Sequence, residues 1–219
     1  MVQAVIFDLD GVLLDSEAAW DKERRELVRE RGGTWTETAT RDMMGMSSPE
    51  WARYLAERLG VDLEPAAISE QVAQRLLSRY REELPLVRGA VEAAERLAAR
   101  WPLGLASSSN PEVIELVLSG SALGRHFAAW VSSEEVGRGK PAPDVYLEAA
   151  RRLDVPPDDC VAIEDSENGI RSANSAGMRV IAVPDPEFPS DPDALALADR
   201  VVESLDELTR DLVESLRGK

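Results

Sequence analysis

Five short runs in which apolar residues dominate, "AVIFD" (4–8), "LGLAS" (103–107), "AAWVSS" (128–133), "VAIED" (161–165) and "RVIAV" (179–183), are each bounded by polar or turn residues. Their length and boundaries predict strands. Between and after them come stretches whose apolar residues recur at helical spacing: "GAVEAAERLAAR", "PEVIELVLSG", "DVYLEAARRL", "NGIRSANSAG" and, at the end, "SLDELTRDLVESL". Local signals agree with helices there. Asn110-Pro111 and Pro143-Asp144 suit helix starts, and Gly177 suits a helix end. Strand and helix alternating in this way predict an α/β fold with a doubly wound, Rossmann-like parallel sheet.

From about Ser16 to Leu84 the alternation stops. Helical stretches near 16–31, 49–59 and 66–83 are separated by "GGTWTETATRDMMGMSS" and "GVDLEP", with no convincing strand. The economical expectation is an α/β core domain made of 1–15 and 85–219, interrupted by an all-α insert over 16–84. The stretch "PDPEFPSDPDA" (184–194) is the one strongly Pro/Asp-rich loop.

Composition narrows the chemistry. At 219 residues the chain can bury a real core without disulfides, and its single cysteine, Cys160, opens the apolar run "CVAIE". A reducing, cytoplasmic setting is expected. No apolar run approaches the roughly 20 residues of a membrane span, so no membrane partner is expected. A formal charge of −16 argues against nucleic-acid binding. The acidic and basic residues interleave along helices and read mostly as solvated faces. The only histidine, His126, excludes any mechanism needing two and is expected to be structural. A monomer is expected.

In an open parallel sheet, ligands bind at the carboxyl ends of the strands. The first expected strand ends in Asp8 and Asp10, the second in Ser107 followed by Ser108 and Ser109, the third leads to Lys140, and the fourth ends in Glu164 and Asp165. A cluster of carboxylates repels itself unless a cation sits in it, and hard oxygen ligands suit Mg²⁺. Ser107, Ser108 and Lys140 beside that cation could hold the oxygens of a phosphate, helped by helix N-termini after Ser109 and Ser166. One carboxylate can then attack phosphorus to give an aspartyl-phosphate while a second protonates the leaving oxygen. Asp8 and Asp10 fit that division of labour. Arginine supplies 22 of the 25 basic residues, so the lysine in "GRGKPAPD" suggests a need for a compact point charge.

The ordered set "DLDGVLLDSE" (8–17), "LASSSN" (105–110), "GKPAPD" (139–144) and "IEDSENGI" (163–170) resembles the four motifs of the haloacid dehalogenase-like hydrolase superfamily. The resemblance spans essentially the whole chain. It makes the insert an α-helical cap like that of the phosphatase and β-phosphoglucomutase branch. It implies Asp8 as nucleophile, Asp10 as general acid and base, Ser107 as a phosphate ligand, and Lys140 as the group holding nucleophile and phosphate together. Glu164 and Asp165 would organise Mg²⁺ with Asp8 and the backbone carbonyl of Asp10.

Within that resemblance, the acid at Asp10 favours phosphate esters over the dehalogenase and phosphonatase branches, which lack it. Against a β-phosphoglucomutase, Trp20 stands where the mutase has a cap histidine. Aligning on Gly45, Met44 and Ser48 replace a lysine and an arginine. The expectation is therefore a Mg²⁺-dependent hydrolase of a small phosphorylated metabolite. A sugar phosphomutase, or a non-catalytic phosphate- or partner-binding module, is the alternative. Glu17 and Asn110 are the polar candidates for touching substrate, with Trp20 and Gly45 beside them. Trp20, Met43, Met44, Met46 and Trp51 read mainly as cap core.

Overall fold

A computed structural model describes residues 1–43, 46–185 and 191–216. Six parallel strands, β1 (Ala4–Phe7), β2 (Leu103–Ser107), β3 (Phe127–Ser132), β4 (Cys160–Glu164), β5 (Arg179–Ala182) and β6 (Arg200–Val201), form one sheet in the order β3-β2-β1-β4-β5-β6. The first five coincide, within a residue or so at each end, with the five expected runs. β6, two exposed residues at the sheet edge, is too short to carry a periodicity signal.

Within the stretch expected as an insert, residues 16–84, lie four helices among the described residues: α1 (Glu17–Glu30), α2 (Ala39–Met43), α3 (Ser48–Glu57) and α4 (Pro65–Glu82). Three match expected helices. The fourth, α2, falls in a stretch expected as loop, because five residues are too few to show a 3.6-residue repeat. Ser47 and Glu50 form a capping box at the start of α3, the Ser47 N–H donating to Glu50 Oε2 at 2.9 Å. Pro65 opens α4, where its missing N–H costs no helical bond. α4 packs on α1 and α3, and against α6 (Pro111–Gly120).

The strands alternate sides with period two. Val5, Phe7, Leu103, Leu105, Val161 and Ile163 pack on one face with α5 (Ala90–Ala98), α6 and the buried side chains of the insert. On the other face, Ala4, Ile6, Ala106, Ala162 and Val180 pack under α7 (Asp144–Arg152) and α8 (Glu167–Ser175). Full burial of each larger aliphatic contributes about 1.5–3 kcal/mol, so both layers hold the sheet in one register.

The C-terminal helix expected over 204–216 is split. A single turn at Leu205–Glu207 precedes α10 (Arg210–Ser215), which starts afresh because the Thr209 hydroxyl accepts from the Leu212 N–H at 3.1 Å. A short α9 (Pro192–Leu195) lies in the Pro/Asp-rich loop, capped by Asp191. Cys160 is buried at the start of β4, and burial pushes its thiol up to about 12, as suits a core residue. His126 immediately precedes β3, which in an all-parallel sheet puts it at the edge opposite the strand ends that carry the acids. Among the described residues no helix is long and apolar enough to cross a membrane.

Candidate active site

β1 is flanked by β2 on one side and β4 on the other, so the chain winds outward in opposite directions from it and leaves a crevice at its carboxyl end. Asp8 follows β1 directly, and its N–H donates to the Ile163 carbonyl at 2.9 Å, tying the two strand ends together. The carboxylates of Asp8, Glu164 and Asp165 are buried and approach within 4.8 Å of one another. Two glycines make that approach possible. A Cβ at Gly169 would lie 1.6 Å from Glu164 Oε1, and one at Gly11, where φ is +76°, would lie 2.1 Å from Asp165 Oδ2.

Lys140, from the loop between β3 and α7, is 2% exposed. Its Nζ lies 2.9 Å from Asp8 Oδ1 and 2.6 Å from Glu164 Oε1. Tyr146 of α7 donates to the same Glu164 oxygen at 3.0 Å. Glu164 Oε2 accepts from the N–H groups of Asp165 and Ser166 and from the Ser166 hydroxyl, at 2.9, 3.0 and 3.1 Å. Glu164 is thus a buried counter-ion with both oxygens engaged.

The electrostatics follow. Burial raises the Asp8 carboxyl well above the usual carboxylate range, with Lys140 opposing and Glu164 and Asp10 reinforcing the shift. Burial likewise raises Asp165, aided by Glu164 and Asp8. For Glu164, burial pulls upward, yet the charge and hydrogen bond of Lys140 outweigh it and hold the group below its ordinary value. Burial pulls Lys140 downward, but Asp8 and Glu164 more than reverse that. Three clustered carboxylates face one ammonium, and a divalent cation offers the missing charge. The all-oxygen donor set fits Mg²⁺.

Asp10 is held differently. Its Oδ1 accepts from the Ser16 hydroxyl at 2.6 Å and Trp20 Nε1 at 2.9 Å; its Oδ2 accepts from the Ser109 hydroxyl at 2.6 Å and the Ser107 hydroxyl at 3.3 Å. The start of the insert and the end of β2 therefore meet on this one carboxylate, whose side chain is not among the three clustered acids.

Asp8, Asp10, Glu17, Trp20, Arg24, Met43, Met46, Trp51, Ser108, Ser109, Asp165 and Ser166 line a pocket over this centre. Ser108 reaches it as expected, whereas Ser107 is fully buried behind it, its oxygen accepting from the Ser109 N–H at 2.9 Å. Glu17 and Trp20 line it; burial raises the Glu17 carboxyl to about 7. Asn110 does not. Its amide is spent in the seam between insert and core, accepting from Ser48 at 2.9 Å and donating to Glu134 at 2.8 Å. Gly45 and Met44 lie outside the described residues. Trp20, Met43 and Trp51 are buried, as expected of cap core, and with Met46 they also wall the pocket.

Sequence reasoning assigned no role to the side chains of Ser16, Ser109, Tyr146 or Arg24. The signal for Arg24 was its phase: it follows Glu17 by seven residues and Trp20 by four, on one face of α1.

The model of the haloacid dehalogenase-like hydrolases matches residues 2–177. Hexitol phosphatase B of Escherichia coli K12 is 36% identical over 211 residues, 95% of this chain and 95% of that protein. Fructose-1-phosphate phosphatase YqaB, also from E. coli K12, is 33% identical over 184 residues, 82% of this chain and 95% of that one. Among solved structures, CbbY from Rhodobacter sphaeroides in complex with phosphate superposes with a TM-score of 0.82 at 30% identity, covering 95% of this chain and 96% of that one. The β-phosphoglucomutase of Clostridium difficile gives 0.85 at 25% identity, covering 98% and 96%. With a family model spanning most of its length and full-length relatives above 30% identity, the chain belongs to the haloacid dehalogenase-like hydrolase family.

Proposed function

We propose that the protein is a Mg²⁺-dependent phosphomonoesterase acting on a small phosphorylated metabolite of the sugar-phosphate kind. The observation that carries this is the buried set at the switch point: Asp8 against Lys140, with Asp165 beside it and Asp10 in the pocket above. The phosphatase names of the curated relatives support the same reading.

An Asp8 carboxylate oxygen attacks phosphorus, and the bond from phosphorus to the ester oxygen breaks as Asp10 gives that oxygen a proton. Asp10, now a carboxylate, takes a proton from a water whose oxygen attacks the aspartyl-phosphate, and the Asp8–phosphorus bond breaks to release inorganic phosphate. Lys140 orients Asp8 and balances charge on the phosphoryl oxygens, while Ser108 and the N–H groups around Ser109 and Ser166 take the remaining ones. Asp8 and Asp165, with Glu164 behind them and the backbone carbonyl of Asp10, would hold Mg²⁺, which when bound neutralises phosphoryl charge. In this reading residues 16–84 are a cap that excludes bulk water, and residues 1–15 and 85–219 are the core.

Hydrolysis of p-nitrophenyl phosphate with Mg²⁺ tests the proposal. Asp8→Asn should abolish turnover while leaving circular dichroism and thermal unfolding native-like. Substantial activity in that variant would remove Asp8 as nucleophile.

A further inference from the structure

Arg24 is a buried cation whose largest favourable charge comes from Glu17, without an ion pair among the described residues. It is 8% exposed and lines the pocket over Asp8 and Asp10. Its guanidinium carbon sits 4.9 Å from the Trp20 ring centre and 4.7 Å from that of Trp51. Two indole faces offset part of the cost of taking the charge out of water. They do not satisfy its donors: among the described residues Nε has no hydrogen-bond partner, and Arg24 makes no ion pair. Removing such a group from water is costly unless an acceptor arrives.

The acids nearest to hand are not built to supply it. Asp10 already accepts four hydrogen bonds from other groups. Asp21, on the same helix, is paired with Arg25 and accepts from Thr40. Glu17 shares the pocket wall and its charge favours the Arg24 cation, but the two form no ion pair among the described residues, and burial raises the Glu17 carboxyl to about 7. The guanidinium packs against two indoles that meet each other edge-on, and it lines the cavity. The ligand that best matches guanidinium donors is a planar or trigonal oxyanion, which can take two N–H groups at once. A hydroxyl would accept one bond and leave the charge uncompensated.

We propose that Arg24 is a specificity-determining residue: it selects phosphate monoesters whose leaving group carries a second oxyanion, a carboxylate or a further phosphate, and pairs with that group in the pocket beside Trp20 and Trp51 while the scissile phosphate lies at Asp8. This rests on the phosphatase reading and sharpens it. The leaving group then spans from the sheet edge to the face of α1 formed by Glu17, Trp20 and Arg24.

Matched substrate pairs test it. Glucitol 6-phosphate and 6-phosphogluconate differ at the far end by a hydroxymethyl against a carboxylate; fructose 6-phosphate and fructose 1,6-bisphosphate differ by a second phosphate. The measured quantity is the ratio of kcat/KM within each pair, for the wild type, Arg24→Met and Arg24→Lys. The wild type should favour the doubly anionic member of at least one pair by about 10- to 100-fold, the range of a charge-assisted hydrogen bond, mostly through KM. Which pair shows it separates carboxylate from phosphate. Arg24→Met should bring that ratio to about one, with Arg24→Lys between. A purely structural Arg24 would lower both members together and leave the ratio unchanged, which would overturn the proposal. So would a wild-type ratio at or below one in both pairs, a result that needs no variant to fold. Failure of the wild type to hydrolyse even p-nitrophenyl phosphate would instead fell the phosphatase reading and this proposal with it.

Discussion

Replacing Lys140 with methionine probes the centre most directly, because the change keeps an unbranched stem of similar volume and deletes the ammonium with its charge and donors. Lys140 is buried and paired to two carboxylates, at 2.9 and 2.6 Å. Removing one partner of a buried pair costs about 3–5 kcal/mol, since the other is left uncompensated. Asp8, already held above the usual range, relieves part of this by taking a proton, so the loss should sit near about 3 kcal/mol rather than twice that. For a chain of 219 residues each kcal/mol moves Tm by about 2–4 °C, giving a fall of about 6–12 °C. The pH dependence carries a sign. Glu164 is held below its ordinary value, so its contribution is present above the unfolded carboxylate range near about pH 4.3 and is lost as pH falls through the folded value. Lys140 is raised, so its contribution is present below about pH 10.4 and is lost as pH rises through its own folded value. Calorimetry of metal-free protein across pH 4–9 should show the widest gap between wild type and Lys140→Met near neutrality, narrowing in acid. The double variant Lys140→Met/Glu164→Gln should recover much of the loss, because it leaves no unpaired charge at Glu164. A single variant melting within about 2 °C of wild type, or a gap that widens below pH 4, would refute the reasoning.

Mg²⁺ at about a hundred times its dissociation constant should stabilise the protein by about 2.7 kcal/mol, read as a higher Tm that a chelator reverses; Asp165→Asn should lose that shift, and an unchanged shift would remove Asp165 from the metal site. Glu17→Gln should stabilise the protein above pH 7 by up to about 3 kcal/mol. Its folded value near 7 exceeds the unfolded one, so the ionised form costs stability as pH rises through that window; the gain should vanish below about pH 4.3. Incubation with β-glucose 1-phosphate and catalytic 1,6-bisphosphate should release inorganic phosphate faster than it yields glucose 6-phosphate, and the opposite order would make the protein a phosphomutase.

The strands and the acids at their ends were legible because both depend on local sequence. "VIFDLDG" and "VAIED" show apolar runs that stop at charge, and a parallel sheet aligns such stops at one edge by construction. What stayed hidden was long-range or too short to repeat. Tyr146 sits at an ordinary core position of α7, and only the packing of α7 beside β4 turns its hydroxyl toward Glu164. Ser16 and Ser109 read as residues at helix starts, and their meeting on Asp10 spans a sequence separation of 93 positions that no local pattern encodes. Asn110 sits elsewhere than the pocket. Its place after the "SSS" run suggested substrate, but the Asn side chain at the head of α6 faces the arriving helix α3, and Ser48 takes it. The short α2 and β6 lie below the length at which periodicity can be read.

Residues 8–24 carry the side chains proposed as nucleophile and acid and those proposed to read the leaving group, and this has a physical consequence. Asp8 is fixed by β1, one of the two central strands, and by Lys140. Asp10 is fixed by donors from two sides of the pocket, one of them Trp20 Nε1. Trp20 in turn is one face of the cage around Arg24, with its ring 5.9 Å from that of Trp51. The chain thus runs from chemistry to recognition through a single contact, and whatever occupies the Arg24 cage bears on the ring that holds the acid. Recognition built on α1 rather than on a distant loop keeps the phosphoryl end and the far end of the substrate at a spacing set by one helix. A substrate that fills only the phosphoryl end leaves the guanidinium unsatisfied, so discrimination comes from the cost of a buried unmet donor rather than from steric exclusion.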